Sequence, residues 1–139
     1  MSRENVEIVR DLLVGFQRRD PGRAFEVYDP DIEWDASGFE ELIPDLAGVY
    51  RGHEGIRTYW RRWLSAWRDV QFEIQDVRDG KGGKVAALIC NQRQVGRHSG
   101  IATEIPPYGI VFTIRGGTVM RWRVYPDHKS ALEAAGLRE

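Results

Sequence analysis

The sequence predicts an α+β domain: a cone-shaped, curved antiparallel β-sheet with three N-terminal helices on its concave face and a short C-terminal helix. Three observations predict it. Apolar residues recur at three- and four-residue steps as far as Trp67 and at two-residue steps beyond it, the periods of helix and strand. Turns at Asp79–Gly83, Gly96–Gly100 and Gly116-Gly117 divide the second half into long segments joined as hairpins. Between Ile101 and Arg115 the apolar parity changes across Pro106-Pro107, which requires a bulge or bend, and bulges curve a sheet.

Each element has its own signal. Residues 3–19 read as an amphipathic helix with Val6, Val9, Leu12, Leu13 and Phe16 on one face. Asp20 is a good N-cap and Pro21 a favoured first residue, so a second helix is expected over 21–28, ended by Asp29-Pro30-Asp31. Ile32–Asp35 reads as a short strand. The connection 36–51 holds Gly38, Pro44 and Gly48, and a loop of this length in a small domain tends to be functional or mobile. Residues 53–67 form a third helix with Ile56, Tyr59, Trp60, Trp63, Leu64 and Trp67 as its apolar stripe. Val70, Phe72 and Ile74 then alternate with polar residues as in a half-buried strand. Lys84–Val95 is apolar on both faces up to Cys90 and polar from Asn91 to Gln94. In the last strand, Val119–Tyr125, alternation turns Met120, Trp122 and Val124 toward the hollow beneath the helices and Arg121 and Arg123 outward. Asp127 caps a helix over Lys129–Ala135, closed by Gly136.

Composition narrows the function. The 139 residues make one domain, 1–139, and 20 Lys plus Arg against 21 Asp plus Glu leave no basic excess for nucleic acid. Arg57, Arg61, Arg62 and Arg68 therefore read as a solvated helix face. Cys90 is the single cysteine, which excludes an intramolecular disulfide and cysteine metal clusters. His53, His98 and His128 have no second ligand nearby in sequence, so no metal and no cofactor is expected. No apolar run approaches ~18 residues, and Met1–Asn5 lacks signal-peptide character, so no membrane partner and a cytoplasmic location are expected.

Several segments together resemble the SnoaL-like branch of the nuclear transport factor 2-like superfamily. They are Glu4–Phe16, Tyr28-Asp29-Pro30-Asp31-Ile32-Glu33-Trp34, Gly48–Ile56, and Gly117–Tyr125 followed by Ala131–Leu137. The likeness spans nearly the whole chain and implies the conical fold, whose members include ketosteroid isomerases, polyketide cyclases, epoxide hydrolases and non-catalytic binding modules. Fold does not settle function among them. By that resemblance, the isomerase base falls on Trp34 and its tyrosine near Leu12. The aspartate of limonene epoxide hydrolase and the SnoaL-type cyclases falls on Val124, and the cyclase histidine on Trp122. The hydrolase's Arg and second Asp fall on Asn91 and Arg93. An indole cannot abstract a carbon-bound proton, nor can a leucine donate to an enolate.

The resemblance thus implies a pocket that is aromatic with a few neutral or basic groups. Its expected lining is Trp34, Tyr59, Trp63, Asn91, Arg93, Tyr108 and Trp122, and the partner is a small apolar or aromatic ligand. Core packing is the more usual use of such tryptophans. Asn91–Gln94 either line the pocket or sit in a sheet-to-sheet homodimer contact of the kind common in this superfamily. Three functions follow. One is a binding module without chemistry. Another is an isomerase, cyclase or hydrolase of polyketide-, steroid- or epoxide-like molecules with a relocated base, Asp35 or one of Glu40, Glu41 and Asp45. The third is a protein-interaction domain.

Overall fold

Val9 and Leu13, one helical turn apart, bury the inner face of the first helix, α1 (Ser2–Gln17), against the sheet. The computed structural model describes residues 2–18 and 24–138. After α1 come α2 (Ala24–Val27), β1 (Tyr28–Asp35), β2 (Val49–Arg51), α3 (Gly52–Ala66), β3 (Trp67–Asp79), β4 (Lys84–Gly96), β5 (Ala102–Ile105), β6 (Tyr108–Arg115), β7 (Thr118–Tyr125) and α4 (His128–Ala134). The expected second helix is shorter than 21–28, because Tyr28 already belongs to a strand; its proposed start at Asp20-Pro21 lies outside the described residues. Among the described residues no helix is long and apolar enough to cross a membrane.

The strand order is β2-β1-β7-β6-β4-β3, with β5 also on β4. The sheet is mixed rather than wholly antiparallel, since β1 runs parallel to β7. Hairpins fix the direction of β3 through β7, but β1 reaches its partner only after α3 and the whole meander, so no turn reverses it. Side-chain period carries no record of that direction.

Of the irregularities in the sheet, three bear on which side chains face the cavity. Pro106-Pro107 breaks the third long strand into β5 and β6, and Ile105 and Tyr108, of opposite parity, are both buried. Asn91 adopts φ +50° where the β3–β4 register slips. The β6–β7 register slips between Thr113 and Ile114, which makes Met120 the extra residue. Val119, fully buried, therefore takes the inward place expected of Met120, while Trp122 and Val124 keep theirs.

Two cores result. The larger lies between the helices and the concave face; the smaller lies on the outer face, where Ala131 and Leu132 of α4 and Ala135 at its C-terminal end cover Ala86, Leu88 and Val111. β4 serves both, with Val85, Ala87 and Ile89 in one and Ala86 and Leu88 in the other. The connection 36–48 is packed, not a free flap. Phe39, Ile43 and Leu46 are buried, and the Tyr50 hydroxyl donates to the Leu46 carbonyl at 3.0 Å while accepting from Arg62 at 3.0 Å.

Candidate functional site

Helices α1, α2 and α3 and the concave face of the sheet enclose a cavity of about 440 Å³. Its wall is mostly rings, and the register explains why. Parallel pairing sets Trp34 opposite Trp122, so the two indoles stack with centroids 4.0 Å apart and planes 6° from parallel. Tyr59 of α3 meets both edge-on, at 5.5 and 5.7 Å. Phe16 of α1 packs between Trp60 and Trp63, at 4.8 and 5.3 Å.

Of the expected lining residues, Trp34, Tyr59, Trp63, Tyr108 and Trp122 are found in the wall. Asn91 and Arg93 are not: both are exposed, and Gln92 and Gln94 are buried in their stead, at 2% and 0% exposure. The physical reason is the bulge at Asn91. Two residues of β4 stand opposite one of β3 there, so the inward parity of Val85, Ala87 and Ile89 passes to Gln92 and Gln94. On the outside, the Asn91 amide donates to Glu73 at 3.0 Å. Inside, the Tyr108 hydroxyl donates to the Gln92 carbonyl oxygen at 2.6 Å, and the Gln92 amide donates to Gln94 at 2.9 Å.

Asp35, the first candidate for a relocated base, does not reach the cavity. It neighbours Trp34 in a strand and so takes the opposite face. There its carboxylate accepts from the Ser37 backbone N–H and hydroxyl at 3.0 and 2.6 Å and lies 3.4 Å from Arg123. Glu33 pairs with Arg121 at 2.7 Å on that same face, which places both arginines outward as alternation requires. Glu40, Glu41 and Asp45 are exposed and absent from the wall, because the apolar residues between them anchor the connection.

The carboxylates that do border the cavity are Asp11 of α1 and Glu26 of α2, both exposed, together with the exposed Arg18. A signal for Asp11 existed. It lies three residues after Ile8 and four before Gly15, and both of these line the cavity, so the helical period sets it on the same edge.

Burial pushes the Tyr59 hydroxyl well above the usual phenol range, reinforced by Tyr108, Tyr50 and Tyr28 nearby and opposed by the Trp34 indole. Burial raises Tyr28 and Tyr108 as well, and the bond with Gln92 pulls the latter back in part. These phenols keep their protons at neutral pH and act as hydrogen-bond donors rather than bases. Among the described residues no group of three or more His, Cys, Asp or Glu side chains is arranged to hold a metal ion.

The fold has many solved relatives. A nuclear transport factor 2-like protein of unknown function from Burkholderia pseudomallei superposes with a TM-score of 0.75 at 18% identity, covering 95% of this chain and 97% of that one. TerC, co-crystallised with polyporic acid, matches with a TM-score of 0.72 at 19% identity, covering 95% and 97%. A protein of ketosteroid isomerase-like fold from Catenulispora acidiphila, in complex with trimethylamine, matches with a TM-score of 0.69 at 16% identity, covering 94% and 93%. No curated protein matches the sequence. The sequence profile of the SnoaL-like domain matches residues 9–123, and this chain belongs to that family.

Proposed function

We propose that the protein binds a small, largely apolar ligand in this cavity, without the carboxylate chemistry usual among the enzymes of its fold. The observation that carries the reading is the wall itself: about 440 Å³ bounded by indole, phenol, phenyl and aliphatic side chains, with charge confined to the exposed Asp11, Arg18 and Glu26. Apolar concavities with a few convergent polar groups are the usual form of small-molecule sites. Similar folds have been crystallised with polyporic acid and with trimethylamine, which supports occupancy of such a fold by small molecules.

The neutral fluorophore N-phenyl-1-naphthylamine tests it. Its emission is expected to rise saturably on titration with the protein. Leu12→Trp, which fills the cavity from α1, is expected to weaken binding at least about tenfold. A linear, unsaturable response that Leu12→Trp leaves unchanged would overturn the reading. Asp11 and Glu26 favour a second one, an isomerase, cyclase or hydrolase whose base sits at the cavity edge. Turnover of a 3-ketosteroid or an epoxide by the intact protein, lost in Asp11→Asn, would establish that reading in place of the first.

A further inference from the structure

We propose that Gln92 and Gln94 make Tyr108 a fixed hydrogen-bond acceptor in the cavity wall, so that the site selects a ligand bearing a neutral N–H or O–H donor over one bearing only a carbonyl or ether oxygen. The assignment rests on the ligand-binding reading above and narrows it.

Setting aside tyrosine and tryptophan, the buried polar side chains among the described residues are Asp35, on the outer face, and the two glutamines of β4. Buried amides are costly unless bonded, and these two are bonded in a chain that ends on Tyr108. The Tyr108 hydroxyl lies 2.6 Å from Gln92 Oε1, and Gln92 Nε2 lies 2.9 Å from Gln94 Oε1. The lengths set the direction of the chain. A contact of 2.6 Å is ordinary for O–H···O and shorter than N–H···O bonds, which start at about 2.7 Å. The hydrogen therefore runs from Tyr108 to Gln92, and the Gln92 nitrogen is left to donate to Gln94. The Gln94 nitrogen closes the chain fully buried, with no hydrogen-bond partner among the described residues. An orphan donor costs stability, and apolar residues in place of both amides would remove that cost. The use of the chain therefore lies at its other end, at Tyr108.

A hydroxyl has one hydrogen and two lone pairs, and Tyr108 has committed its hydrogen to Gln92. Tyr108 lines the cavity, with its ring held by Phe39 edge-on at 5.1 Å, so it offers a ligand lone pairs only. A donor in the cavity meets them with a hydrogen bond. A carbonyl or ether oxygen sets lone pairs against lone pairs and leaves its water without a bond in return. Donating to Gln92 also makes the hydroxyl a better acceptor, because bonds in a chain polarise one another. Trp34 and Trp60 in the same wall carry N–H groups and no acceptor, so they do not duplicate Tyr108. Burial pushes the Tyr108 phenol far above its ordinary range and keeps its proton in place, so the preference is constant between about pH 6 and 9.

Three bicyclic probes of one shape decide it: indole, with an N–H donor; benzofuran, with an oxygen and no donor; and indene, with neither. Each is titrated into the intact protein loaded with N-phenyl-1-naphthylamine, and displacement of that fluorophore is read. Indole is the most polar of the three, so burial alone ranks it last. Expected is indole binding about fivefold tighter than benzofuran or indene, the gain of roughly one hydrogen bond. Tyr108→Phe is expected to abolish that advantage while leaving indene within about twofold. Gln92→Leu, which frees the Tyr108 hydrogen, is expected to cut the advantage of indole over benzofuran to within about twofold. Gln92→Leu/Gln94→Leu removes both amides and strands neither; it is expected to do the same, and it carries the assignment if the single variant does not fold. An advantage that Tyr108→Phe removes and neither glutamine variant alters overturns the role of the chain. Benzofuran or indene displacing the fluorophore as well as indole does, or none of the three displacing it, overturns the donor class and leaves the ligand-binding reading standing. Failure of the fluorophore itself to bind saturably overturns both.

Discussion

Asp127 accepts a hydrogen bond from the Ser130 backbone N–H at 2.7 Å and so starts α4 with a side-chain cap. That bond, and less so the Ser130 side chain, holds its carboxyl below the usual aspartate range. A depressed folded pKa means that the stabilisation is complete above the ordinary aspartate value of about 3.9 and is lost as pH falls through the lower folded one. Asp127→Ala is expected to cost about 1 kcal/mol at neutral pH, with Asp127→Asn costing less because the amide oxygen still caps. Urea denaturation at pH 7 and pH 3 checks both magnitude and sign: the gap between wild type and Asp127→Ala should shrink at the lower pH. At this scale the sequence was readable where a residue acts through its neighbours in the chain. The Asp127 cap and the closing Gly136, at φ +79°, are local chemistry. The same holds for Trp34 and Asp35, whose opposite directions follow from strand alternation alone. Gln92 and Gln94 were hard to read, because one residue at φ +50° reversed the faces and the signal was slight: Asn91 is the member of the polar run that best tolerates positive φ.

Elements were legible where period and punctuation agree, as in α1, α3 and the β3–β4 and β6–β7 hairpins. They were less so where tertiary contacts decide. The 36–48 connection is the clearest case, since its glycine and proline suggest freedom while its apolar residues are held from outside. The single turn Ser37–Phe39 lies so close to β7 that a β-carbon on Gly38 would collide with the Val124 backbone carbonyl. That neighbour is main chain of a paired strand and cannot rotate aside. Gly38→Ala is therefore expected to destabilise by about 1–3 kcal/mol, the usual range for overpacking, although alanine suits the local backbone. Thermal denaturation measures it. Stability equal to wild type would mean that the turn lifts off β7 freely, and that Phe39, 1% exposed, does not anchor it. The parallel β1–β7 pair belongs at this scale too, for it is what stacks Trp34 on Trp122, and no local signal encodes a pairing across most of the chain.

The whole molecule is one curved sheet with two dissimilar faces, a concave one that holds the cavity and an outer one sealed in part by α4. The faces share β4, so removing α4 asks whether they are independent. Deleting residues 127–139 uncovers Ala86, Leu88 and Val111, which are at most 4% exposed, and removes the Leu132 side chain that packs on them. Burying a leucine contributes about 1.5–3 kcal/mol, so a loss of at least about 2 kcal/mol is expected. Ala135 also accepts from the Lys81 backbone N–H at 2.9 Å, so the β3–β4 turn loses an anchor. A fresh apolar patch on a sheet face favours self-association, which light scattering would register as aggregates absent from the intact chain. No residue of α4 lines the cavity, and affinity for N-phenyl-1-naphthylamine is expected to persist in whatever fraction remains folded. One link runs the other way: the His128 ring bonds the Ile89 carbonyl at 2.9 Å, and Ile89 lines the cavity. If the truncated protein stays folded by circular dichroism yet loses the probe, that link governs the inner face, and α4 is part of the binding apparatus rather than a seal on the outside.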